Sequence, residues 1–241
     1  MDHFARTIVR TIVRNIARNF ARNVVAASAL FGTALAAAPL VAQSADSTLD
    51  RAVAAYATVK TARISFSQTI DNSLTGTTVT SQGELQQRRP SRFAVTFAEP
   101  SGDRIVSDGQ WVWVYLPSTN PGQVIRAKLG AEGAGATDFA AQFLEAPRKS
   151  YTVSGGSAVA IDGSATHMVL LTPRSTSSPF SKVTLWVNDG DALLRRVETV
   201  DQSGVVRRIT VTKFARNAPV DAKAFVFKVP AGVKVFDGPT S

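Results

Sequence analysis

The sequence predicts a mainly β protein, built as one antiparallel sheet of about eleven strands that is strongly curved or closed. Three observations predict it. Apolar residues alternate with polar ones at period two through most of residues 64–229, the period of a half-buried strand. Turn signals recur between the runs: Asp108-Gly109, Gly155-Gly156, Asp162-Gly163, Asn188-Asp189-Gly190 and Ser203-Gly204. The composition, 44% hydrophobic and 19% charged over 241 residues, is that of a globular chain long enough to bury a core.

Residues 1–44 read as a leader. Arg6, Arg10, Arg14, Arg18 and Arg22 stand against one acid, Asp2, and the stretch Val24 to Ala38 carries no charge. A cationic start, a short apolar run and the following Ala42-Gln43-Ser44-Ala45 have the layout of a cleaved secretory signal peptide. The cut is expected between Ala42 and Ala45. The four-residue spacing of the arginines also suits a transit peptide or a membrane-surface helix. Retention as an anchor is a further reading, although a span takes about 20 apolar residues. The leader accounts for four units of the +9 net charge, leaving +5 on residues 45–241, read as a single domain. The chain has no Cys, which excludes a disulfide framework, thiolate catalysis, Cys-ligated zinc and an N-terminal lipidated Cys.

The domain opens on a helix, with Leu49, Ala52, Val53 and Tyr56 at helical spacing and Asp46 or Ser47 as cap. Strands are then expected around Ile64–Ile70, Val79–Leu85, Phe93–Phe97, Ile105–Asp108, Trp111–Leu116 and Val124–Leu129. A second set follows at Tyr151–Val153, Ala158–Ile161, Thr166–Thr172, Ser181–Val187, Leu194–Val200, Val205–Phe214 and Phe225–Val229. The exception to the pattern is Gly130 to Glu145. There Thr137 can cap a helix that sets Phe139, Phe143 and Leu144 on one side and ends at Pro147. That helix is either a core plug for the open end of the barrel or a movable lid over a cavity.

Catalytic parts are few. His167 is the one histidine outside the leader, and it alternates with Ala165, Val169 and Leu171 in a strand. No Gly-x-Ser-x-Gly elbow accompanies it, and no ligand set for zinc clusters around it in sequence. Asp189, Asp191 and Asp201 are explained by turn chemistry. No catalytic residue, metal or cofactor is assigned. The pairs Arg88-Arg89, Arg195-Arg196 and Arg207-Arg208 cannot build a nucleic-acid face, because adjacent strand residues point to opposite sides. Arg88, Arg195 and Arg207 are expected to be solvated surface charges. Arg89 differs: counting by two, it shares parity with Leu85 and Gln87 behind and Phe93, Val95 and Phe97 ahead. An inward Arg needs partners for its five N–H groups. It is either a rim residue with its head in water or a latch onto backbone carbonyls at a loop or helix end.

Several segments carry a family resemblance. They are Ile64-Ser65-Phe66-Ser67-Gln68, the run Gly83 to Phe93 with Arg89-Pro90, the run Ile105 to Pro117, Leu170-Leu171-Thr172-Pro173 and the ending Val220 to Pro230 with Gly232-Val233. In this order the chain resembles the LolA family over about residues 45–238. The resemblance implies an incomplete antiparallel β-barrel with a short helical lid over an apolar cavity. It implies a monomeric, non-enzymatic periplasmic carrier. Its partners would be acylated lipoproteins, an inner-membrane lipoprotein-releasing ABC transporter and an outer-membrane lipoprotein acceptor. Arg89 would latch the lid. Phe93, Val95, Phe97, Phe139, Phe143 and Leu144 would line or cover the cavity. The chain departs from the family at Gln86 and Gln87, where apolar residues are common, so part of the wall is expected to be polar. Two alternatives stand beside this reading: an exported lipid-binding or sensor module of the same fold, and an exported hydrolase using His167 or a carboxylate pair.

Overall fold

The computed structural model describes residues 38–129 and 140–238, with side chains from residue 45 onward. Helix α1 (Ala38–Ala57) leads into β1 (Thr61–Asn72), β2 (Thr77–Arg88), β3 (Arg92–Glu99), β4 (Arg104–Asp108), β5 (Trp111–Tyr115) and β6 (Gln123–Lys128). Two four-residue helices, α2 (Ala141–Leu144) and α3 (Pro147–Ser150), precede β7 (Tyr151–Ile161), β8 (Ser164–Pro173), β9 (Phe180–Asn188), β10 (Leu194–Asp201) and β11 (Val206–Arg216). A 3-10 turn (Ala222–Phe225) and β12 (Lys234–Asp237) complete the order. All twelve strands form one sheet, ordered β12-β6-β5-β4-β3-β2-β1-β11-β10-β9-β8-β7. The sheet stays open between β12 and β7, so the barrel is incomplete, as the resemblance implies.

Alternation assigns the two faces. Leu49, Ala52 and Tyr56 of α1 pack in one cluster with Val169, Leu171, Val183, Leu185 and Val187 of β8 and β9. Val169 faces Leu185, Leu171 faces Val183 and Val187 faces His167 across the register, so α1 lies on the concave face over β7, β8 and β9. The convex face has a smaller core in which Phe225 of the 3-10 turn covers Ala94 and Val106. Phe227 stacks on Trp113 with ring centroids 5.5 Å apart. Beyond it the chain adds β12 parallel to β6, the one parallel pair in the described sheet. Trp111, Trp113 and Tyr115 therefore face outward, while Val112, Val114 and Leu116 are buried on the inside.

Several expectations change. Tyr151–Val153 and Ala158–Ile161 are one strand with a bulge between Gly155 and Ala158. The glycines serve close approach rather than a turn, since a Cβ on Gly156 would collide with the Met168 side chain. Residues 226–229 are not a strand, because the chain is occupied in covering the convex face. Helix α1 begins well before Asp46 and Ser47, so neither caps it. Asp46 and Asp50 instead hold Arg148 of α3 at 2.8 and 2.6 Å. Pro147 starts α3, after Ala146 in the left-handed region (φ 49°), rather than only ending the helix before it. Most of the leader and Thr137, Asp138 and Phe139 lie outside the described residues.

Candidate functional site

The inner wall is built by the register of β1, β2, β3 and β11. Ile64 faces Leu85 and Phe214, and Phe66 faces Gly83 and Val211. Phe93 faces Gln87, Val95 faces Leu85 and Phe97 faces Gly83. Period-two alternation puts all of them on the concave side. Gly83 makes room: a Cβ there would come 2.5 Å from the Thr96 carbonyl oxygen and 3.0 Å from the Phe66 ring. The Phe66 ring meets Phe97 edge-on at 5.9 Å. Phe93, Phe143 and Leu144 are buried in the same cluster, with Val95 and Phe97 partly buried against it. Phe143 also meets Phe180 of β9 at 5.9 Å. Of the apolar residues expected at the site, all but Phe139 thus come together, and Phe139 lies outside the described residues.

The wall is not uniformly apolar. Gln87 is buried on the concave face, as its parity requires. Gln68 donates to Ser81 Oγ at 3.0 Å on the same face. Gln86 points the other way and donates to Glu84.

Arg89 lies just past β2, where its N–H donates to the Lys60 carbonyl (3.0 Å). Its Nη1 donates to the Tyr56 carbonyl at 2.7 Å. Tyr56 sits in the last turn of α1, whose carbonyls have no partner inside the helix and whose dipole favours a cation. Tyr56 also packs edge-on against Phe214 at 6.0 Å. Arg89 therefore ties the end of α1 to the rim of the inner wall.

Comparison with known proteins places the chain in a family. Residues 57–228 match the family model described as Outer membrane lipoprotein carrier protein LolA. The chain belongs to the LolA family. It is 32% identical over 179 residues to the outer-membrane lipoprotein carrier protein of Methylibium petroleiphilum, covering 74% of this chain and 84% of that protein. It is 31% identical over 154 residues to the protein of the same description from Methylobacillus flagellatus, covering 64% of this chain and 71% of that one. Among solved structures, an uncharacterized conserved protein from Thermus thermophilus superposes with a TM-score of 0.51 at 16% identity, covering 81% of this chain and all of that one. At that identity the likeness is one of fold.

Within this LolA-family fold, three arginines depart from the expected solvated state. Arg88 donates to the Val220 carbonyl (2.9 Å) and lies 5.7 Å from the Phe225 ring, where it holds the C-terminal segment on the convex face. Arg195 is 18% exposed and paired with Asp191 at 2.6 Å. Arg207 stands opposite Ile70 and Thr199, on the concave face. Its partner in sequence, Arg208, faces out to Glu198. Strand parity carried this information, but only once Arg207 is aligned with Ile70.

His167 is also less isolated than its sequence neighbourhood suggests. Its Nδ1 lies 2.6 Å from Asp189 Oδ1, because β8 pairs with β9 and the Asn188–Asp189 turn follows Val187 directly. Ser47, Thr48 and Arg51 of α1 complete a recess of about 390 Å³ around this pair. Arg51 donates to the Asp189 carbonyl at 3.2 Å, so the cluster fastens α1 to the turn. Among the described residues no group of three or more His, Cys, Asp or Glu side chains could hold a metal ion.

Proposed function

We propose that the protein is a periplasmic, monomeric and non-catalytic carrier that shelters the acyl chains of lipoproteins against its concave face. It would receive them from an inner-membrane ABC transporter and release them to an outer-membrane acceptor. Residues 1–44 would be removed on export, leaving the packed part of α1 from Leu49 to Tyr56 in place. Membership of a family of lipoprotein carriers supports this reading. The observation that carries it is the aromatic-lined inner wall of β1–β3, which is only partly covered although it is mostly apolar: Phe66, Val95 and Phe97 keep some exposure beside buried neighbours.

Acyl chains in water are costly, at about 0.8 kcal/mol per CH₂ left uncovered. A carrier must cover that surface and still give it up, so its cover needs two states a few kcal/mol apart. Arg89 suits this role. A charged hydrogen bond is worth about 1.5–3 kcal/mol, enough to bias a cover and too little to lock it. In this reading α2, with Phe143 and Leu144 and the preceding Phe139, is the lid, and Arg89 holds the closed arrangement through the end of α1, the helix against which α2 packs. Release would follow a gradient of affinity toward the acceptor.

The test is saturable binding of a neutral apolar fluorophore to the purified protein and its displacement by a triacylated peptide. Binding without displacement, or no binding, contradicts the proposal. His167→Ala should leave displacement unchanged; loss of function in that variant with an unaltered melting temperature would favour a catalytic role.

A further inference from the structure

One cation of the concave face makes no side-chain hydrogen bond to a described residue. Arg207 of β11 stands in a cross-strand row that reads Val79, Ile70, Arg207, Thr199, Val183 and Leu171 from β2 to β8. Ile70, Val183 and Leu171 are buried, so the row is apolar apart from Arg207 and Thr199. No hydrogen bond or ion pair joins the Arg207 side chain to any described residue, whereas Arg208 beside it is paired with Glu198 at 2.7 Å. Asp201 attracts Arg207 electrostatically. The Asp201 Oδ1 accepts from the Ser203 N–H and hydroxyl and from the Val205 N–H, which fixes the carboxylate in its turn, out of hydrogen-bond contact with Arg207.

Burial lowers the Arg207 pKa against that attraction. A guanidinium nevertheless stays protonated at neutral pH, so the row carries five donors that make no hydrogen bond among the described residues and a positive charge that Asp201 offsets only through space. Arg89, at the other end of the same face, shows what a satisfied arginine looks like here. The next positions on the inner wall beyond Arg207 are Ile209 opposite Gln68 and Val211 opposite Phe66. An alkyl chain laid along them reaches the Phe66–Phe97 pair.

We propose that Arg207 anchors the oxygen-bearing head of an acyl ligand, with the alkyl chain lying over Ile209, Val211 and Phe66. The shared chemistry is an acyl oxygen acceptor, either the carboxylate of a fatty acid or the ester or amide carbonyl of an acylated protein. This deepens the carrier reading and rests on it.

The experiment measures displacement of a bound neutral fluorophore, N-phenyl-1-naphthylamine, by palmitate, by a triacylated cysteine peptide and by hexadecylamine. Wild type should bind the acyl compounds more tightly than the amine, and equal affinities for all three overturn the anchor. Arg207→Gln should weaken palmitate or the peptide by about tenfold or more while leaving the fluorophore and hexadecylamine unchanged, which also shows that the variant is folded. Arg207→Lys should keep part of the preference for palmitate. Loss confined to palmitate identifies a carboxylate source, and loss that includes the peptide identifies an acyl carbonyl. Wild-type affinity of Arg207→Gln for both acyl compounds, with the fluorophore still bound, removes the anchor and leaves the carrier reading standing. Failure of wild type to bind fluorophore or peptide removes both.

Discussion

The two halves of the concave face are built from the same residue types and are used differently. Under α1, Val169, Leu171, Val183, Leu185, Val187 and Leu194 are all at 0% exposure. Across β1 to β3, Phe66, Val95 and Phe97 are only partly covered, and Val79 is 38% exposed. A strand pattern cannot distinguish these halves, because both alternate equally well. What separates them is the helix: α1, packed over β7, β8 and β9, seals one side. In the carrier reading proposed above, the sealed half supplies stability and the loosely covered half would supply room for a ligand.

Substitutions should divide along that line. The largest stability effect belongs to the sealed half. Leu185→Ala should cost about 2–5 kcal/mol through a cavity that cannot collapse, read as a lowered denaturation midpoint, with ligand affinity kept wherever the protein is still folded. Next is Arg89→Leu, which removes a charged hydrogen bond worth about 1.5–3 kcal/mol from the carbonyl of Tyr56. It should still bind acylated peptide but transfer it poorly to an acceptor, because the empty closed form no longer competes with cargo. Normal transfer by this variant would remove the latch. Phe97→Ala, in the open half, should cost only about 1–2 kcal/mol of stability and lower affinity for acyl peptide more than Leu185→Ala does. The reverse order would erase the distinction between the halves.

The smallest effect is one of pH. Burial holds the Tyr151 hydroxyl above its ordinary value of 10.0, so the folded state keeps a proton that the unfolded chain gives up. Stability from this source is intact below about pH 10 and declines as pH rises further. Tyr151→Phe should flatten that alkaline decline in melting temperature and leave neutral pH behaviour unchanged.

Much of this architecture was legible in period-two alternation. The runs around Ile64, Phe93, Trp111 and Val183 became strands near their expected bounds, and the parity that set Leu85 and Gln87 beside Phe93, Val95 and Phe97 held across the register. Features set by pairing between distant segments were not legible. Arg207 reads as one more surface charge until β11 is laid against β1. His167 gains Asp189 only through the β8–β9 pairing. Gly155-Gly156 looks like a turn until Met168 fills the space above it. The ending from Val220 looks like a strand, yet its apolar residues are consumed by the convex face, with Phe225 over β3 and β4 and Phe227 on Trp113. Local pattern records which residues need burial, and only topology says against what.

The central claim is that acyl chains lie on the loosely covered half of the concave face. It is tested most directly by a triacylated peptide carrying a photoreactive group at the end of one acyl chain, crosslinked to the purified protein and mapped by mass spectrometry. Adducts are expected at Phe66, Val95, Phe97 or Phe143, abolished by excess unlabelled peptide. Competable adducts confined to the convex face, at Trp113 or Phe227, would contradict it.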